Sequence, residues 1–312
     1  MPSLGVACCL ASAAAFGAMG IFGKLAYDEG ATVGTLLATR FTLAALVLWI
    51  VVACTRRAPR PTAVPRRDLL LGLAIGAIGY GAQAGGYFSA LARLDASLLS
   101  LLVYSFPVMV TVAAVALGRE KANARSVAAL TLASAGLVLV LAGAAGGALD
   151  PLGTALALGT AFVYSAYVLV SEGIAARLGP LMLSTLVCSG AALALTPAAL
   201  IGGDLEPGRV SAEGYAWLAG LALVSTVAAI GLFFAGLRRT GPSAAAILST
   251  LEPVVTVGLA YVAFGESLGP AQLAGGALVL LAAAAVRAPK RPPRRRPRLV
   301  LPPQRTLGKE TA

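Results

Sequence analysis

The 312-residue chain is 58% hydrophobic and only 12% charged, with a mean hydropathy of +0.87. Soluble domains are about 45–50% apolar and about 25% charged, so a soluble globular enzyme is excluded as a class. The chain has no histidine, which removes the commonest general base and metal ligand. Its four cysteines (Cys8, Cys9, Cys54 and Cys188) form no CxxC pair, so zinc, iron–sulfur and disulfide-framework readings fail. No cofactor is expected.

A helix crosses the hydrocarbon core with about 20 mostly apolar residues. In chain order, ten such spans are predicted: 4–27, 33–54, 69–91, 96–117, 126–144, 152–171, 180–201, 214–237, 242–264 and 267–287. Runs such as Ser126–Ala142 do not alternate apolar with polar residues, which argues against transmembrane strands. The first span is too long for a signal h-region and has no basic residue before it, so it reads as a retained helix.

Lysine and arginine placement sets the orientation. With the N-terminus inside, twenty cations fall inside: Arg56, Arg57, Arg60, Arg66, Arg67, Arg119, Lys121, Arg125, Arg177, Arg238, Arg239 and nine over 287–312. Arg93 and Arg209 fall outside, and Lys24 and Arg40 lie within spans. This bias requires an even number of spans. Both termini are therefore expected in the cytoplasm. The tail, 288–312, reads as a cytoplasmic anchor for the anionic headgroups of the lipid bilayer, and not as a nucleic-acid arm.

The chain also repeats itself at an offset of 146. Ser97 maps to Ser243, Arg93 to Arg239, Pro107 to Pro253 and Glu120 to Glu266. Phe88 and Leu91 map to Phe234 and Leu237, and Leu10, Ala11, Ala15 and Phe16 to Leu156, Ala157, Ala161 and Phe162. Alanine and leucine matches mean little in this composition, but the Pro, Glu, Ser and Arg matches carry weight. A unit of five spans is odd, so its second copy enters the membrane upside down, a signature of secondary transporters. The expected fold class is all-α integral membrane: ten transmembrane helices as two inverted five-helix repeats, over 4–144 and 152–287.

Two stretches carry a family resemblance: "SFPVMVTVAAVALGRE…LTLASAGLVLVLA" within 97–141, and "LSTLEPVVTVGLAYVAFGESLGPAQLAGGALVLLAAAAV" within 243–286. Both resemble the tandem EamA repeats of the drug/metabolite transporter superfamily. "ATRFTLAAL" (38–46) and "ALGTAFVYSAYVL" (157–169) support the match. The resemblance implies ten helices, an inner-membrane location and passage of small metabolites. One departure is Phe106 where the second copy has Glu252, so a single half carries the acid.

The candidate transport residues follow from what lipid rejects. Pro107 and Pro253 each remove a backbone donor in mid-span, which leaves the carbonyls of Val103 and Ser249 short of partners. Glu252 costs several kcal/mol as a bare carboxylate in lipid, about 2.5–3.5 kcal/mol on insertion scales for Asp. It is open to three roles: proton carrier, substrate contact, or partner of a structural ion pair. Lys24 can snorkel from the outer end of span one. Arg40 lies deeper, suited to an anionic substrate group or to a carboxylate.

Polar faces at helical spacing complete the set. They are Tyr80, Gln83 and Tyr87; Ser100, Tyr104, Pro107 and Thr111; Thr160, Tyr164 and Tyr167; and Ser249, Glu252 and Thr256. Gly72, Gly76 and Gly79 read as a packing stripe. Tyr27 and Tyr215 fit the interface belt. Glu120 and Glu266 are expected at the membrane surface. No GxxxxGK[ST] motif is present, so the energy for transport comes from an ion or substrate gradient. The expected function is alternating-access movement of a small-molecule substrate, amino-acid-like or drug-like, by proton-coupled export. A homodimer is compatible with these features. The alternatives are a non-transporting scaffold or receptor, and a membrane enzyme, for which no cluster of His, Asp, Cys or Ser with a base is visible.

Overall fold

The computed structural model describes residues 2–55, 64–118, 124–144, 150–240 and 248–287. Among them every regular element is helical. Six helices are long and apolar enough to cross a membrane: Leu4–Asp28, Val33–Cys54, Arg66–Leu91, Pro151–Ser171, Pro180–Ile201 and Ala212–Gly236. They coincide with spans one, two, three, six, seven and eight. Spans four, five, nine and ten appear as the shorter apolar helices Ala96–Val110, Val127–Gly143, Glu252–Phe264 and Pro270–Ala282. The start of span nine (241–247), the Glu120 loop (119–123), part of the 55–65 loop (56–63) and the basic tail lie outside the described residues.

Several spans are interrupted, and the interruptions matter more than the lengths. Span one is α1 (Pro2–Gly17) and α2 (Met19–Asp28), parted at Ala18. Span two is α3 (Val33–Cys54), unbroken, and Thr32 caps it by accepting the Thr35 amide at 3.1 Å. Span three runs as α4 (Arg66–Ala74), a π turn over Ile75–Tyr80 and α5 (Gly81–Leu91). Span four, predicted as one helix, is instead α6 (Ala96–Val103) and α7 (Phe106–Ala116). Pro107 stands in the first turn of α7, where a missing N–H costs nothing, so the chain restarts there rather than kinking.

Span five is α8 (Ala124–Ala144). Span six, α9 (Pro151–Leu178), extends seven residues beyond its predicted end at 171. Span seven is α10 (Pro180–Ile201), opened by Gly179 at φ +72 and by Pro180. Span eight is α11 (Ala212–Ala222), a second π turn over Leu223–Ala228 and α12 (Ala229–Thr240). Span nine enters through a 3₁₀ turn, Ser249–Leu251, into α13 (Glu252–Phe264), with Pro253 in its first turn and Gly265 at φ +68 as its C-cap. Span ten is α14 (Pro270–Arg287).

The packing is reciprocal between the two halves. α1 packs on α12, and α9 packs on α5. α3 packs on α10, and α8 on α14. Each half also carries its π turn in its third helix. The α8–α14 crossing is closed by two glycines. A Cβ on Gly136 would come within 2.6 Å of the Gly275 carbonyl oxygen, and one on Gly275 within 2.5 Å of that of Gly136. Backbones this near require residues without side chains. The stripe Gly72, Gly76 and Gly79 serves the same end. A Cβ on Gly76 would collide with the Val187 backbone, and one on Gly72 or Gly79 would crowd Leu186 or Tyr167. The main core, with Phe41, Phe88, Leu36, Leu99 and Leu102 fully buried, gathers around α3, α5 and α6.

Candidate functional site

Two contiguous cavities lie where the interrupted helices meet. The first, of about 120 Å³, is lined by Arg40, Tyr80, Gln83, Tyr87, Tyr104, Tyr164 and Glu252, with Phe16, Met19, Phe88, Val103 and Phe106. The second, of about 450 Å³, shares Phe16, Tyr80, Tyr104, Phe106, Tyr164 and Glu252. It continues past Tyr167, Cys188 and Ser249 to Ser184 and to Phe233 and Phe234. All three breaks open onto this space. Phe16 and Met19 flank the Ala18 break, Val103 and Phe106 the span-four break, and Ser249 and Glu252 the 3₁₀ entry to α13.

Arg40 is 2% exposed, among the largest fully buried side chains of the fold. Its Nε donates to Thr226 Oγ1 at 3.1 Å, and that hydroxyl donates onward to the Leu221 carbonyl at 3.1 Å. Its guanidinium carbon lies 5.0 Å and 5.3 Å from the ring centres of Phe41 and Phe88. Cation–π contacts are worth about 0.5–2 kcal/mol each and offset part of the burial cost. Thr226 was not singled out in the sequence. Its signal is indirect: it lies in a π turn, a local widening frequent at functional sites.

The aromatic residues form a continuous wall. Phe41, Tyr80, Tyr167, Tyr164, Phe106 and Tyr104 touch in that order, with successive ring centres 4.5–5.9 Å apart. Offset and edge contacts at such distances fix ring orientation. Tyr104 Oη also donates to the Ser249 carbonyl at 2.6 Å, the acceptor that Pro253 deprives of its helical donor. The Ser249 carbonyl also accepts the Glu252 amide through the 3₁₀ turn, so a bond from each half meets on it. Thr256 donates to the Gly17 and Glu252 carbonyls at 2.9 and 3.1 Å, joining the span-one break to the span-nine break.

Seven of the ten sequence candidates line the cavities: Arg40, Tyr80, Gln83, Tyr104, Tyr164, Ser249 and Glu252. Pro107 and Pro253 set the breaks from the first turns of α7 and α13. Lys24 lies apart. Its Nζ binds Glu266 Oε1 at 2.7 Å and Asp95 Oδ1 at 3.5 Å, so a carboxylate holds it rather than the interface. Thr160 is buried against Gly86 and not against the cavity. The sequence missed the apolar lining, Phe16, Met19, Val103 and Phe233, because nothing local distinguishes a cavity aromatic from a core one.

Glu266, expected at the membrane surface, is 7% exposed at its side chain. Oε1 accepts the Ala96 amide at 3.1 Å, and Oε2 accepts the Ser97 amide at 2.9 Å and the Ser97 hydroxyl at 2.8 Å. It caps α6 from the connection between α13 and α14, a task the adjacent Asp95 side chain does not perform. Burial pushes the Glu266 carboxyl up, but Lys24 and Ser97 together outweigh it and hold it below the usual carboxylate range.

An all-helical chain with long apolar helices, whose charged groups turn inward onto an aromatic cavity, is a multi-pass membrane protein of the solute-carrier kind. Comparison with known proteins gives the family. The EamA-like transporter family matches residues 3–142 and again 151–288, and the chain belongs to it. The chain is 25% identical over 266 residues to "Uncharacterized transporter YcbK" of Bacillus subtilis, covering 83% of this chain and 85% of that one. It is 29% identical over 227 residues to an "Uncharacterized transporter" of Archaeoglobus fulgidus, covering 73% and 77%. A solved structure described as "Crystal structure of protein" superimposes with a TM-score of 0.63 at 19% identity, covering 91% of this chain and 96% of that one, and so shares the fold. The protein is a transporter of small solutes and not an enzyme.

Proposed function

We propose that this transporter is a secondary carrier built as ten transmembrane helices in two inverted five-helix repeats. It exports a small metabolite, amino-acid-like or drug-like, across the plasma membrane by alternating access coupled to protons. The single observation that carries this reading is the meeting of Arg40 and Glu252 on one aromatic cavity, at the level where three helices break. Arg40 suits a carboxylate or other anionic group, and Glu252 an amine or a proton. The aromatic wall suits the apolar body between them. The larger cavity, about 450 Å³, falls within the roughly 300–1,000 Å³ of small-molecule sites. Support for the inverted repeat is the exchange symmetry of the packing: α1 on α12 answers α9 on α5. The twenty-to-two cation bias supports cytoplasmic termini. In that orientation the larger cavity, running toward Ser184 and the end of α12, reaches the inner side.

The test is uptake in proteoliposomes under an imposed proton gradient, with substrates found by resistance of overproducing cells to toxic metabolites. Glu252→Gln should abolish gradient-driven flux while the protein still inserts. Full gradient-driven flux in that variant would remove Glu252 from coupling.

A further inference from the structure

Three half-helices meet the cavity at one end and each other at the other. α2 begins at the Ala18 break, α6 ends at the Tyr104–Ser105 break, and α13 begins after the 3₁₀ turn Ser249–Leu251. Their near ends carry the lining residues Met19, Val103 and Glu252. Their far ends converge on Glu266, one residue past the Gly265 cap of α13. Glu266 takes the ammonium of Lys24 from α2 and the amides of Ala96 and Ser97 from α6. Lys24 also lies 5.4 Å above the Phe264 ring of α13. One carboxylate therefore bonds the far ends of two segments from the first half to the end of a segment from the second.

Each of the three is short, and the break at its near end parts it from the rest of its span. The unbroken α3 behaves differently. Its start is bound to the other half through the Gly34 amide on Asp204 Oδ2 at 2.6 Å and the Glu206 amide on Thr35 Oγ1 at 2.8 Å. No break separates that end of α3 from its body.

We infer that Glu266 is the positioning residue of an outer gate: its bonds to Lys24, Ala96 and Ser97 close the cavity on that face, and their release lets α2, α6 and α13 part. The inference rests on the alternating-access reading. It assigns the described conformation to the state closed outside and open inside. The carboxylate binds helix ends and not substrate, so its loss changes the balance of the two states rather than the chemistry of the site.

The experiment uses the full chain with Cys8, Cys9, Cys54 and Cys188 replaced by alanine and Val103→Cys introduced as a reporter. A membrane-impermeant thiol reagent is applied from the outer side, with and without Glu266→Gln. Glu266→Gln is expected to raise the outer-side labelling rate about tenfold, and Lys24→Met to raise it less. Where Glu266→Gln does not accumulate, Lys24→Met alone carries the measurement. A second test joins Lys24→Cys to Glu266→Cys with a short bis-methanethiosulfonate, which forms a disulfide to each thiol, in the same background without the reporter. Flux should stop on cross-linking and return on reduction. Labelling rates that stay at the parent value in both variants, or full flux in the cross-linked protein, would overturn the gate. Labelling needs no transported solute, so a parent protein without flux sinks the carrier reading and leaves the gate test intact.

Discussion

The broken segments α2, α6 and α13 and the unbroken pair α3 and α10 are held in place in different ways. α3 and α10 pack along their length. At the end where α3 begins, a Cβ on Gly34 would come within 2.7 Å of Ala199 Cβ. Further along, Trp49 Nε1 donates to Ser189 Oγ at 3.0 Å. Such an interface is jigsaw-packed and resists sliding. The broken segments pack as well, with α6 inside the main core, and are also tied at discrete points: Glu266 at one end, and Tyr104 on Ser249 and Thr256 on Gly17 at the other. The unbroken pair rests on packing along its length, and the broken segments on packing together with point ties. Arg40 bridges the two, since it stands on α3 and points into the cavity that the broken segments surround.

The largest expected effect falls on that bridge. Arg40→Leu should cut flux about 100-fold, or about 2.7 kcal/mol, while fluorescence-detected size exclusion still finds folded protein. Arg40→Lys should retain the charge but lose the Nε bond to Thr226 and the planar stacking, so apparent affinity for an anionic substrate should fall about tenfold. Equal affinity in Arg40→Lys would make Arg40 a packing residue.

Tyr104→Phe comes next. It strips the Tyr104 hydroxyl from the Ser249 carbonyl, which keeps the Glu252 amide, so the loss is one hydrogen bond of about 0.5–1.5 kcal/mol. Thermal unfolding in detergent should register the loss. A change in Tm equal to that of Tyr215→Phe, whose hydroxyl binds the exposed Pro207 carbonyl at 3.0 Å, would deny Tyr104 a special place.

Acid separates the two kinds of region by sign. Glu266 is held below its ordinary carboxylate value, so its contribution is present above the unfolded value near 4.5 and is lost as pH falls through the folded one. The charged groups facing it are Lys24 and, through Lys24, Asp95. Between pH 6 and pH 3 the parent should lose more stability than Glu266→Gln. Parallel losses would show that the tie carries no proton-linked energy. The smallest effect belongs to the opposite end of the fold. There Arg177 binds Asp68 Oδ1 at 2.9 Å with its side chain half exposed. Arg177→Gln should change stability by less than about 1 kcal/mol.

The placement of the helices was legible because lipid imposes a length and an apolar composition on any segment that crosses it. The candidate cavity was largely legible for the same reason in reverse. Gln83, Arg40 and Glu252 are intolerable in lipid, so a polar face on an apolar helix points inward wherever its neighbours lie. The prolines were legible as trouble but not as breaks. Whether a proline kinks a helix or restarts it depends on what supplies the freed carbonyl, and at Ser249 the suppliers are the Glu252 amide and Tyr104, 145 residues away. The bonding of Glu266 was not legible, because its sequence neighbours look like a surface loop and its partners sit at positions 24, 96 and 97.

By itself, then, the sequence determined the solvent. A chain this apolar, with charge confined to loops and a few inward faces, has to place its helices in a bilayer, and its 146-residue echo prescribes two like halves. Tertiary structure alone decided which polar groups became site and which became fastening. That division depends on distances of about 3 Å between residues far apart in the chain, and hydrogen bonds and ion pairs fall off too steeply for composition or periodicity to report them.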